Sequence, residues 1–412
     1  MAKIGIVGGG IIGSAIATWL IADGHEVTVY EREPDGRPAS GGNAGFIAVP
    51  QIYPVARPGM LGQVPKWLAD PLGPLTLRWG DLPSLTPWLI AFLRAANPVG
   101  EARTMDALAG LGRSALADHF ELGRRARLTG HLRNTGALTI HDTSTSLDRT
   151  EALYTEVGKR LDIDVGRITE TAARDLVPAL QGPFAGALHF RDFWIVSNPL
   201  PVLRHYQTFV RNNAKLIGLA ARAIEPRNDG IDIVSEGGTA TTFDQVVVAA
   251  GIWSRDFVRA LRLKVLLETE RGYNTTWTEP NVQLPMPVMF GDHAFVATPF
   301  VDALRVGGAV ELARPDAPPN YARARAMRIK MRRYVPTLSD TGGVEWMGRR
   351  PSTPDSMPVI SRHPRDRRIL FAFGHGHMGL TYSAPTARHI AALVGANEDA
   401  TTLAPFDIGR FN

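Results

Sequence analysis

Three glycines near the N-terminus have the spacing that binding a pyrophosphate needs: Gly8-x-Gly10-x-x-Gly13, with Ile11 and Ile12 between the last two. The first permits a tight turn, the second lets backbone approach the phosphates, and the third lets a helix pack closely on a strand. A helix opening there also aims free N–H groups and the positive end of its dipole at an anion. Glu31 follows at the distance where a carboxylate can accept hydrogen bonds from both hydroxyls of an adenosine ribose, and an acid there disfavours a 2′-phosphate. In a chain with 41 glycines the pattern alone is weak, and an ordinary glycine turn is the competing reading. Its flanks strengthen it. Lys3 to Val7 reads as a buried strand, Ser14 to Ala22 as a helix stopped by Asp23-Gly24, and Glu26 to Tyr30 as a second strand.

Two further glycine patches lie far along the chain. Phe243 to Val248 reads as a buried strand ending in Ala250-Gly251, with Trp253 just beyond. Ile369 to Phe373 reads as another strand, followed by the turn Gly374-His375-Gly376-His377-Met378-Gly379 and a helix over Leu380 to Val394. A nucleotide fold interrupted at such length suits a flavoprotein better than a NAD dehydrogenase, which usually completes its nucleotide fold without such gaps. A helix N-terminus aimed at the flavin C2 oxygen would stabilise the negative charge of the reduced ring. His375 and His377 have no evident third ligand nearby, so no metal is expected.

A substrate carboxylate would need a cation to hold it, and arginine's planar fork matches that group bidentately. Arg350, in the Arg-Pro turn before the last strand, is the first candidate. Arg271, before Gly272-Tyr273, is the second, with an ion pair to Glu270 or a neighbour as its alternative role. Tyr273 either hydrogen-bonds the substrate or packs.

The 412 residues are 44% hydrophobic and 21% charged, enough for a sizeable core and long for one compact unit. The absence of cysteine excludes disulfides, iron–sulfur ligation, thiolate-bound zinc and a cysteinyl flavin, and suits a reducing cytoplasm. The net charge is +5, but the arginines are scattered and do not alternate with aromatics, so nucleic acid is not an expected partner. The N-terminus carries no signal peptide pattern, and no apolar run is long enough for a membrane span.

Together these patches resemble the FAD-dependent D-amino-acid oxidase superfamily, and within it the bacterial D-amino-acid dehydrogenases. The resemblance rests on GGGIIG, on Ser40-Gly41-Gly42-Asn43-Ala44-Gly45, on VVVAAGIWS, and on Gly348 to Ile360 followed by FGHGHMG. The stretches from Val64 to Pro74 and Glu270-Arg271-Gly272-Tyr273 also resemble glyphosate oxidoreductase. The resemblance implies that Glu31 and Arg32 hold the AMP ribose and its surroundings, and that Gly42, Asn43, Ala44 and Gly45 pass along flavin and pyrophosphate. It also implies that the Ala223 backbone faces the adenine, while Gly376, His377, Met378, Gly379 and Leu380 hold the pyrimidine side. Ser197-Asn198-Pro199 and Asn274 depart from the family's more usual Asp-Pro and His.

The expected fold is α/β (α+β overall). A Rossmann-type FAD-binding domain, residues 1–50, 196–262 and 346–412, is interleaved with an antiparallel-sheet substrate domain, residues 51–195 and 263–345. Strands are expected over Val265–Thr276, Ala294–Pro299 and Leu304–Val310, and a helix over Tyr321–Tyr334. The expected activity is oxidation of a small amino acid, a D-amino acid or D-hydroxyproline, with non-covalent FAD and a quinone or other electron acceptor. The alternatives are an oxygen-using oxidase of glycine, sarcosine or another secondary amine, a NAD-linked enzyme, or a non-catalytic flavin subunit. The segment Trp67–Ala96, with its apolar run from Pro87 to Leu93, reads either as a core helix or as a peripheral contact with the inner membrane.

Overall fold

The computed structural model describes residues 1–59, 62, 73, 75–396 and 400–411. Its first sheet has the order Lys215–Ile217, Glu26–Tyr30, Lys3–Val7, Gln245–Val248, Ile369–Phe373, all parallel, closed by Val359–Arg362 running antiparallel at one edge. The central strands are near-continuous apolar runs because both faces are covered. On one face the helix Ile11–Ala22 packs against Ser383–Val394 and Pro199–Asn213. On the other, Val7, Val246 and Val248 meet Ile224, Ile233 and Phe243 from a small three-stranded sheet.

A second sheet of nine strands stands over the first. Its path runs Val344–Ser352, Glu268–Trp277, Leu304–Leu312, Phe295–Pro299, Val288–Phe290, Ala137–His141, Gly186–Phe190 and Val165–Ile168, with Leu75–Leu77 added beside Leu304–Leu312. It is antiparallel except where Val288–Phe290 pairs with Ala137–His141 and where Leu75–Leu77 joins. The three strands expected here form at Glu268–Trp277, Phe295–Pro299 and Leu304–Leu312, and the expected helix at Ala322–Arg332.

Two features differ from the sequence reading, and a third bears on an alternative that it left open. The strand Val344–Ser352 pairs in register along Glu268–Thr276, so the nine-stranded sheet continues past residue 345 and Arg350 rides on it, not on the Rossmann half. The last long helix begins at Ser383 rather than Leu380. Gly374 and Gly376 have φ of 81° and 53°, and such left-handed turns postpone helix entry. Finally, the helix Leu82–Ala95 is a core helix on one face only. Leu85 and Trp88 are buried against Leu312, and the Trp88 indole donates to the Ser352 carbonyl at 3.0 Å. Ile90 and Leu93 remain 45% and 53% exposed, and Trp79 67%. Residues 67–72 and 74 of that segment lie outside the described residues. No described helix is long and apolar enough to cross a membrane.

Candidate active site

A cavity of about 830 Å³ lies between the two sheets and takes its lining from both. The N-terminal turn, Glu31 and Arg32, Gly42 to Ala44, Ala250, Gly251 and Trp253, and Gly376 to Leu380 all border it. Gly13, Gly45 and Ala223 do not. Gly13 is required by packing, since a Cβ there would sit 1.8 Å from the Gly8 carbonyl oxygen. Gly45 turns at φ 82° beneath Phe300. Next to Ala223 in the chain, Ala221 and Arg222 do border the cavity.

The dinucleotide end is braced before any cofactor arrives. Glu31 accepts the Gly9 N–H at 2.7 Å, so the acid meant for a ribose also fixes the glycine turn. Ser40 Oγ accepts the Ile11 N–H at 3.1 Å at the mouth of the helix. The Arg32 guanidinium lies 3.4 Å over the Trp253 ring, a cation–π contact between two cavity-lining residues.

The loop around Gly42 is held from two sides, in part by Arg305, which motif reading did not identify. Arg305, only 8% exposed, donates to the Gly41 carbonyl at 3.0 Å and to the Asn43 carbonyl at 2.5 Å. Burial lowers its pKa to about 10, so it stays cationic. Asn274 donates to the Gly42 carbonyl at 3.2 Å, which gives the departure from histidine a structural role. From the other side, the Asn43 amide donates to the His377 carbonyl at 3.3 Å. The Asn198 departure lies at the start of the helix Pro199–Asn213, where its amide reaches Asp302 at 3.2 Å. No local sequence pattern marks Arg305, because its partners lie far away in the chain.

These residues fit an FAD. The turn opens onto the cavity beside a helix N-terminus: a Cβ at Gly10 would meet only Ser40 Oγ, at 3.7 Å. Glu31 borders the cavity beside that turn, and the cavity continues past Gly42 to the turn at Gly376–Met378. Among the described residues no group of side chains could hold a metal ion.

At the far end, strand alternation sorts the candidates. Glu270, Gly272 and Asn274 share one face, and Arg271 and Tyr273 take the other. Arg271 is fully buried away from the cavity, 3.4 Å from Glu311 and donating to the Ala317 carbonyl at 2.8 Å. The Tyr273 hydroxyl donates to Glu311 and accepts the Asn320 N–H at 3.1 Å. Burial pushes that phenol up to about 12, so although Tyr273 borders the cavity its polar end is committed elsewhere. Arg271 therefore makes a structural ion pair, with Glu311 rather than Glu270, and is not placed to clamp a ligand.

Arg350 is placed to do so. Its guanidinium lies across Gly272, donates to the Ala309 carbonyl at 3.2 Å, borders the cavity, and makes no ion pair with any described residue. Glu270 stands opposite it in strand register and is 5% exposed. Burial lowers the Arg350 pKa and raises that of Glu270, each opposed by the other's charge. His377 also borders the cavity with its side chain accessible there, and desolvation by the cavity walls together with the Arg350 charge lowers its pKa below the ordinary histidine value.

Comparison with known proteins agrees with this geometry. The family model described as FAD dependent oxidoreductase matches residues 3–393. A D-amino-acid oxidase of Bradyrhizobium diazoefficiens is 31% identical, over 99% of this chain and 98% of the relative. A D-amino acid dehydrogenase of Paramagnetospirillum magneticum is 30% identical, over 99% of each. Among solved structures, glycine oxidase from Geobacillus kaustophilus superposes with a TM-score of 0.77 at 22% identity, covering 99% of this chain and 98% of that one. The chain belongs to the FAD-dependent oxidoreductase family, and FAD is its cofactor.

Proposed function

We propose that the protein oxidises a small amino acid, a D-amino acid first among them, at its Cα–N bond to an imino acid that water then hydrolyses to a keto acid and ammonia. The observation that carries this is Arg350, a cation bordering the cavity with no ion pair to any described residue. A carboxylate bound there gains charge-assisted, fork-matched hydrogen bonds. FAD, when bound, supplies the two-electron acceptor. The protein's own part is to hold the substrate by its carboxylate, to keep the site dry, and to set its orientation. Positioning of that kind lowers a barrier by several kcal/mol. The 31% identical relative named D-amino-acid oxidase favours a second reading, an oxygen-using oxidase, with glycine, sarcosine or a related secondary amine as its substrate.

The test is anaerobic bleaching of the flavin across D- and L-amino acids, prolines and N-substituted glycines, followed by reoxidation with oxygen or a quinone. Bleaching by a D-amino acid and slow reoxidation by oxygen support the first reading. Bleaching only by N-substituted glycines with fast oxygen turnover supports the second. A flavin that none of them reduces overturns both.

A further inference from the structure

The carboxylates on the substrate-side sheet are not treated alike. Glu268 lies 3.2 Å from Arg255, and Glu311 lies 3.4 Å from Arg271. Glu270, between them in sequence, has no arginine at ion-pair distance among the described residues, although it is 5% exposed. It borders the cavity on the same strand face as Gly272, directly across the strand pair from Arg350. A buried carboxylate without a paired cation is costly and is kept where something compensates it.

We infer that Glu270 and Arg350 form a matched pair for a zwitterion, Arg350 taking the substrate carboxylate and Glu270 receiving the ammonium and then its proton. The inference rests on the amino-acid reading above and adds to it the group that prepares the amine. An N–H bond of the ammonium breaks, the proton passes to a Glu270 carboxylate oxygen, and the electron pair stays on nitrogen as the neutral amine that oxidation requires. The surroundings favour the transfer. Burial already raises the Glu270 pKa, and Arg350 is the charge that restrains it. A substrate carboxylate on Arg350 offsets that restraint, so binding itself makes Glu270 more basic. The other groups facing this site are His377 on the cavity wall, its pKa below the ordinary histidine value, and the Arg271–Glu311 pair behind the strand, whose charges balance.

The experiment uses the FAD-loaded full chain, the parent beside Glu270→Gln, with D-alanine and propionate as probes. Propionate has the carboxylate and lacks the ammonium. For the variant, the D-alanine concentration that half-saturates anaerobic flavin reduction should rise tenfold or more. Propionate affinity, read from the flavin absorbance shift, should not weaken and should tighten at alkaline pH, since the variant lacks the Glu270 charge that opposes a carboxylate on Arg350. The acid limb of the parent's reduction rate should also move to the alkaline range, where the free amine exists without help. Equal weakening of both ligands would mean that Glu270 merely supports the cavity, and overturns the assignment. So does an unmoved pH profile. A measurement on the parent alone guards against a variant that fails to load FAD. Propionate should bind with proton uptake, so its affinity should weaken from about pH 5 to pH 9, and a flat profile overturns the assignment. A parent that no amino acid reduces overturns the amino-acid reading itself. A parent reduced normally, whose variant keeps its D-alanine affinity, overturns the Glu270 role alone.

Discussion

Replacing Gly272 by alanine isolates the clamp without touching its charge. A Cβ at Gly272 would lie 2.3 Å from Arg350 Cζ and Nη2 and 2.7 Å from Nε, where ordinary contact begins near 3.4 Å. Gly272 has no left-handed φ and pairs in regular register with Gly348, the irregularity beside it being in the ladder to Leu304–Leu312, so alanine suits its backbone. What gives way is the far end of the Arg350 side chain, which must lift by about an ångström and give up its bond to the Ala309 carbonyl. Misplacing a positioning group by that much costs on the order of 100-fold, and every ~1.4 kcal/mol is tenfold. Gly272→Ala should therefore raise the substrate concentration for half-maximal flavin reduction by roughly 10- to 100-fold, with the FAD content of the purified protein unchanged. The assay is anaerobic stopped-flow reduction across substrate concentrations, with Arg350→Lys as the companion that keeps charge and loses the fork. If Gly272→Ala binds and reduces as the parent does, the guanidinium over Gly272 is not what holds the carboxylate.

Three further outcomes follow from the same geometry. Arg305→Met keeps length and loses the donors to the Gly41 and Asn43 carbonyls. Unmade bonds of this kind cost about 1–3 kcal/mol, so FAD titration of the apoprotein should show a Kd raised at least several-fold, and an unchanged Kd refutes the bracing role. Acid precipitation should release the flavin to the supernatant, and colour left in the pellet would reveal a covalent link. His119 and His375 are held neutral by burial at about 4 and about 3, against an ordinary value of 6.5. Their folded pKa values are depressed, so the unfolded chain binds the extra protons. The stability they contribute is complete above about pH 6.5 and is lost as pH falls, on the order of 2 kcal/mol each by pH 5. Melting temperatures that do not drop between neutral pH and about pH 5 would contradict that burial.

The dinucleotide half was legible because its rules are local. Gly13 is required by a contact within one strand–turn–helix unit, where a Cβ would lie 1.8 Å from the Gly8 carbonyl oxygen, and Gly8 by its own left-handed turn at φ 106°. Apolar runs such as Lys3–Val7 and Ile369–Phe373 mark strands covered on both faces. Glu31 follows from the fixed length of that unit. The sequence by itself therefore determined the Rossmann half, the cofactor it serves, and Arg350 as a cation worth testing.

Which of two arginines borders the cavity was a question of strand parity and register, and no local pattern carries it. In one dimension Arg350 ranks ahead of Arg271 without displacing it, yet a one-residue step turns a side chain to the opposite face of the sheet. Pairing of Glu268–Thr276 with Val344–Ser352 sets Arg350 beside Glu270 and leaves Arg271 to Glu311. Arg305 reaches the Gly42 loop across 264 and 262 residues of chain to Gly41 and Asn43. Only tertiary structure decided these roles, because each depends on where two distant backbones are brought together, and a side chain's charge acts over ångströms of space rather than positions in sequence.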